Sequence, residues 1–131
     1  MISVDLATRL KDAGVAWSPA QGDRFHVPDR DLDDQVFVVS DLVVEVRDLP
    51  TGQLLAFNGT TEWALDSIEA SEVVWLPREE QLRQMLGGSF VSLEALPGGF
   101  AVTVRDATGE LTRHIDVDAE PALARAVLAG L

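Results

Sequence analysis

Residues 90–117 read FVSLEALPGGFAVTVRDATGELTRHIDV, and this stretch decides the fold class. Three β-type runs, 90–94, 100–105 and 111–117, are rich in Val, Phe, Leu, Ile and Thr. Pro97-Gly98-Gly99 joins the first pair and Asp106-Ala107-Thr108-Gly109 the second. Both connectors are turn chemistry, because proline presets φ and glycine tolerates positive φ. Connections this short join antiparallel neighbours, since a parallel crossover needs a dozen or more residues. The stretch therefore predicts an antiparallel meander.

Working outward, a helix follows the meander. Asp118 is placed to cap it and Pro121 falls in its first turn. Between Ala119 and Leu131 only Glu120 and Arg125 are polar, so the helix is either deeply packed or at a subunit contact. Upstream, residues 77–86 predict a helix opened by Pro77, with Glu79 and Glu80 at its positive end. Leu82, Met85 and Leu86 form its inner face, and Gly87-Gly88 ends it. Residues 72–76 read as a buried strand containing Trp75.

The first half is also strand-rich. Ser3 caps a helix predicted over 4–13, with Leu6, Leu10 and Ala13 on one face and Gly14 at its end. Short strands are expected at 15–17 and 24–27, and a long one at 35–48 with a break or bulge at Ser40-Asp41. A turn at 49–52 leads to a strand at 53–57. Asn58-Gly59 then signals a tight hairpin, with residues 60–66 as the returning strand and a short helix capped by Thr60 or Thr61 as the rival. Hairpins outnumber strand–helix–strand units. The expectation is an α+β fold with a mostly antiparallel sheet and three helices, N-terminal, central and C-terminal. The 131 residues suit one globular domain. A division into two lobes near Leu76 is the alternative, with each lobe marginal alone.

Composition removes whole classes of chemistry. The chain has no cysteine, which excludes disulfides, thiolate metal sites, iron–sulfur clusters and cysteine nucleophiles. The opening residues lack a basic region and apolar run, and no apolar stretch approaches the ~18 residues of a membrane span. The expected location is the cytoplasm. Net charge is −12, from 22 acidic and 10 basic residues. That opposes nucleic acid and anionic lipid and permits a basic protein partner. Nine of the basic residues are arginine, with Lys11 the sole lysine, a bias of composition rather than of a site.

Few constellations carry chemistry. Asp29, Asp31 and Asp33 alternate like the opening of a calcium loop. The match fails at the sixth position, which holds Asp34 instead of glycine, and at the twelfth, which holds Ser40 instead of glutamate. No metal site is assigned, and Asp29, Asp31, Asp33 and Asp34 are read as a solvated acidic segment able to receive a basic partner's arginines. The two histidines, His26 and His114, would need a nearby carboxylate to hold zinc. No Gly-x-Ser-x-Gly elbow, phosphate-binding loop or dinucleotide fingerprint is present, and no cofactor is expected. Trp75 is expected in the core, with Trp17 and Trp63 as candidate contact residues.

Four segments taken together, 22–25, 33–40, 58–66 and 75–82, resemble a group of small uncharacterised bacterial proteins of similar length. Some of that group are labelled pilus assembly proteins. The likeness spans most of the chain and implies no settled activity. The pilus label implies a longer ATPase with a phosphate-binding loop, which this chain lacks, and none of its residues carry over.

Two functions follow as expectations. The first is a small acidic, non-enzymatic interaction or regulatory module that binds a basic partner. The second is a small-molecule-binding protein or hydrolase with Trp63, Glu62, Asp66 and His26 in a cleft. A homodimer through the helix at 119–131 or through a sheet edge is also expected.

Overall fold

A computed structural model describes residues 1–28, 35–40, 44–57 and 67–131. The fold is α+β, as the meander predicts. In chain order the elements are α1 (Val4–Asp12), β1 (Arg24–His26), β2 (Phe37–Val38), β3 (Val44–Leu49), β4 (Gly52–Phe57), β5 (Ser67–Glu69), β6 (Val74–Leu76), α2 (Glu79–Leu86), β7 (Phe90–Leu96), β8 (Gly99–Arg105), β9 (Leu111–Asp116) and α3 (Ala119–Ala129). Among the described residues the strands form three sheets of three, ordered β2-β1-β6, β3-β4-β5 and β7-β8-β9. Every described strand pair is antiparallel.

The chain forms two compact units that meet in sequence at Leu76–Pro77. One unit is residues 15–76, and the other combines residues 1–14 with 77–131. Its N-terminal helix thus belongs with the C-terminal half, a long-range choice that no local pattern announces.

In the unit of residues 15–76, two small sheets share a core of Phe25, Val27, Phe37, Val39, Leu55, Ile68 and Val73, with Trp17 and Val46 packed against it. The expected long strand at 35–48 divides into β2 and β3, which join different sheets. The loss of alternation near Ser40 marks this change of sheet. Residues 15–17 are not a strand; Trp17 is instead tied by its side chain, as described below. β4 takes β3 on one side and β5 on the other, with Leu55 opposite Ile68 and Ala56 opposite Ser67. The described strand returning along β4 is Ser67–Glu69; the Asn58-Gly59 turn and the expected returning strand at 60–66 lie outside the described residues. Burial selects this register: Ile68 is buried between exposed Ser67 and Glu69, so one face serves the core.

In the other unit, Ser3 Oγ accepts the Leu6 N–H at 3.1 Å and starts α1. At α2, Gln81 Oε1 accepts the Arg78 N–H at 2.8 Å. Asp118 stands at the N-cap of α3 without the expected side-chain cap bond. α3 packs on α1, α2, β8 and β9. Ala122, Leu123, Ala124, Ala126 and Val127 are all buried. Of the two readings of this apolar helix, deep packing is what the chain adopts, because small alanines let α3 approach the sheet closely. Met1 closes the unit, its amino group lying 2.8 Å from Glu120 Oε2. The meander forms as read, with turns Pro97-Gly98 and 106–110. β7 carries a register shift at Val91.

Candidate functional site

The acidic segment lies between β1 and β2, and the sequence on either side of it builds a hydrogen-bonded stem. Arg24 pairs with Val38 and Phe25 with Phe37. Beyond the strands, the Val39 N–H donates to the Asp23 carbonyl and the Gly22 N–H to the Val39 carbonyl, both at 2.8 Å. β1 is also held from its other side by β6, with Phe25 opposite Trp75. Apolar residues anchor both ends of the stem: Val27 is 0% exposed and Phe37 8%. Asp29, Asp31, Asp33 and Asp34 themselves fall outside the described residues.

Aromatic rings reinforce the stem. Trp17 stacks on Trp75 with centroids 6.2 Å apart and planes 11° from parallel. It also meets Phe25 at 5.8 Å, and Phe25 meets Phe37 at 5.6 Å. Such pairs add about 0.5–1.5 kcal/mol each beyond area burial. Trp17 is therefore a packing residue, half-buried against the core. Trp75 is half-buried too, and its Nε1 is enclosed without a hydrogen-bond acceptor among the described residues.

Asp23 is the residue that sequence reading missed. It is buried at 2% exposure. Its Oδ2 accepts the Trp17 indole N–H at 2.9 Å and the Ala20 N–H at 3.1 Å. A carboxylate inside a Pro-Gly turn reads as ordinary turn chemistry. The available signal was a tryptophan six residues upstream across that turn.

Of the four residues expected to line a cleft, only His26 is described; Glu62, Trp63 and Asp66 lie outside the described residues. His26 is 5% exposed, and its Nδ1 lies 3.2 Å from the Gln35 carbonyl oxygen. A carbonyl only accepts, so this contact places the proton on Nδ1. His26 thus clamps the base of the acidic connection. His114, on β9, has Nε2 3.3 Å from the Thr112 hydroxyl. Among the described residues no three histidine or carboxylate side chains gather as a metal-holding set, and no helix is long and apolar enough to cross a membrane.

Three carboxylates are held below the usual range. The Arg78 guanidinium does this for Glu80, the Thr108 hydroxyl and nearby backbone N–H groups for Asp106, and Arg125 for Asp116. A general acid working near neutral pH needs the opposite shift, which none of these three has. A hollow beside Leu49, Gln53, Glu69 and Ser71 has a volume of about 90 Å³, too small for the roughly 300–1,000 Å³ of a typical ligand pocket. An open groove beside the Pro97-Gly98 turn holds Asp116 and Arg125, already bonded to each other at 2.7 Å.

Charge divides unevenly between the units. Residues 15–76 hold 12 acidic and 3 basic residues, net −9, whereas the other unit holds 10 and 7, net −3. Three quarters of the excess therefore accompanies the unit that bears the acidic segment. No family model, curated protein or solved structure matches the chain.

Proposed function

We propose that the protein is a non-enzymatic interaction module that receives a basic protein partner on the acidic connection between β1 and β2. The observation that carries this reading is the net −9 of residues 15–76, combined with a stem whose two ends are buried and hydrogen-bonded. A stem paired on both sides and buried at its ends lowers the ordering cost of presenting charges to a partner. Like charges at Asp29, Asp31, Asp33 and Asp34 repel one another until a cationic surface neutralises them. Partner capture relieves that repulsion, so the segment favours association over added stability.

The test replaces Asp29, Asp31, Asp33 and Asp34 together with asparagine and repeats affinity capture from the native cell. The variant should keep its circular dichroism spectrum and lose the basic proteins that the parent retains. Recovery of the same proteins in the same amounts would sink the reading. The likeness to small bacterial proteins of similar length adds no activity to this proposal.

A further inference from the structure

The third sheet ends in β9, an outer strand of the order β7-β8-β9. Unpaired edges invite further strands, and proteins usually guard them with bulges, prolines or charges. The opposite edge, β7, has such a guard in the register shift at Val91. β9 runs through six pairs with β8 without interruption, and residues 111–117 contain neither proline nor lysine.

The phase of the ladder says which groups face outward. Antiparallel pairs alternate between bonded and non-bonded positions. The Asp106 N–H donates to the Glu110 carbonyl at 2.8 Å, which sets the alternation. Thr112, His114 and Asp116 then bond inward to Val104, Val102 and Phe100, while Leu111, Arg113 and Ile115 turn their backbone groups away from β8. The side chains at this edge are apolar and open: Leu111 is 57% exposed, Ile115 55% and Val117 69%.

Electrostatics permits a close approach at this place on a chain of net charge −12. Arg113 is matched by Glu94 at 3.5 Å and Asp116 by Arg125 at 2.7 Å. Within 111–117 both charges are thus matched, the flanking Glu110 and Asp118 are acidic, and the strip lies in the unit of lower net charge.

We infer that β9 pairs antiparallel with β9 of a second copy of this chain, about a two-fold axis at His114. In that register Leu111 faces Val117 of the other copy, and Arg113 faces Ile115. Centring the axis on Arg113 instead would oppose two guanidinium groups, which is destabilising. A two-fold contact closes on itself and leaves no new edge at β9. One strand pair buries less than a standard interface of roughly 1,600 Å², so the dimer is weak and concentration-dependent. The pairing is independent of the basic partner.

Sedimentation equilibrium of the full chain tests it. From roughly 10 μM to 500 μM the mass should rise toward twice that of one chain, as expected for micromolar association. Ile115→Lys, which places a cation opposite Arg113, should stay monomeric with an unchanged circular dichroism spectrum. The chain has no cysteine, so His114→Cys introduces a single thiol. Non-bonded antiparallel pairs stand about 4.5 Å apart at Cα, within disulfide reach, and mild oxidation should yield a covalent dimer. A monomer at every concentration, or an undiminished dimer in Ile115→Lys, overturns the inference. Cross-linking by Arg113→Cys in place of His114→Cys overturns the register.

Discussion

A Cβ added to Gly99 would stand 2.6 Å from the Asp116 carbonyl oxygen. The obstacle is backbone, so one methyl group forces β8 and the end of β9 apart. Gly99→Ala should cost about 1–3 kcal/mol in urea unfolding. Gly88→Ala, where the added atom meets nothing within 4 Å, should stay within about 1 kcal/mol of the parent. At the same end of β9, Arg125 holds the Asp116 carboxyl below its ordinary value. A carboxyl depressed in the folded state adds stability above its unfolded pKa and loses it as pH falls through the folded one. The contribution should thus be present at neutral pH and fade below about pH 4. Arg125→Gln should flatten that acid-side decline in thermal midpoint, whereas an unaltered profile would show that the pair is screened by solvent.

At the scale of elements, local signals identified most of the described strands and all three helices. Asn58-Gly59 is a strong hairpin signal that lies outside the described residues, and the described strand that returns along β4 is β5. A turn dipeptide scores only its own φ preferences, while pairing is decided by which apolar residue reaches the core. Ile68 reaches it opposite Leu55. Ile68→Ala should therefore cost about 2–4 kcal/mol, and Ser67→Ala less than about 0.5 kcal/mol. Equal effects would mean that β5 does not present one face to the core. The break near Ser40 was legible because alternation fails there, but its meaning was not. A slip in phase looks the same in sequence whether the strand bulges or changes sheet. The apolar helix at 119–131 was legible from its composition and its cap, and its companions α1 and α2 were not.

At the scale of the molecule, composition governs association more than folding. A net charge of −12 keeps copies apart in general and leaves neutral strips as the places where they can meet. Most of that charge accompanies residues 15–76. Partner capture through the acidic connection should weaken steeply as salt rises, because exposed charges are screened within about 10 Å at 0.1 M. Capture that survives high salt would point instead to apolar contacts. Of the candidate site, the acidic residues were legible as a run of charge. The stem that holds them was not, because it depends on Asp23, Trp17 and Trp75 meeting across distant positions.

Although α2 begins at Glu79 after an Arg78 N-cap instead of at the expected Pro77, the sequence by itself determined the α+β class, the antiparallel meander, the starts of α1 and α3 and the excess of negative charge. Each of these depends on neighbours within one or two turns of chain or on simple counting. Tertiary structure alone decided that the described strands separate into three sheets, that α1 joins the C-terminal half, that Asp23 is buried beside Trp17, and that β9 is an outer strand among the described strands. Those outcomes follow from which apolar faces can be buried together, a competition among residues far apart in the chain that no local pattern encodes.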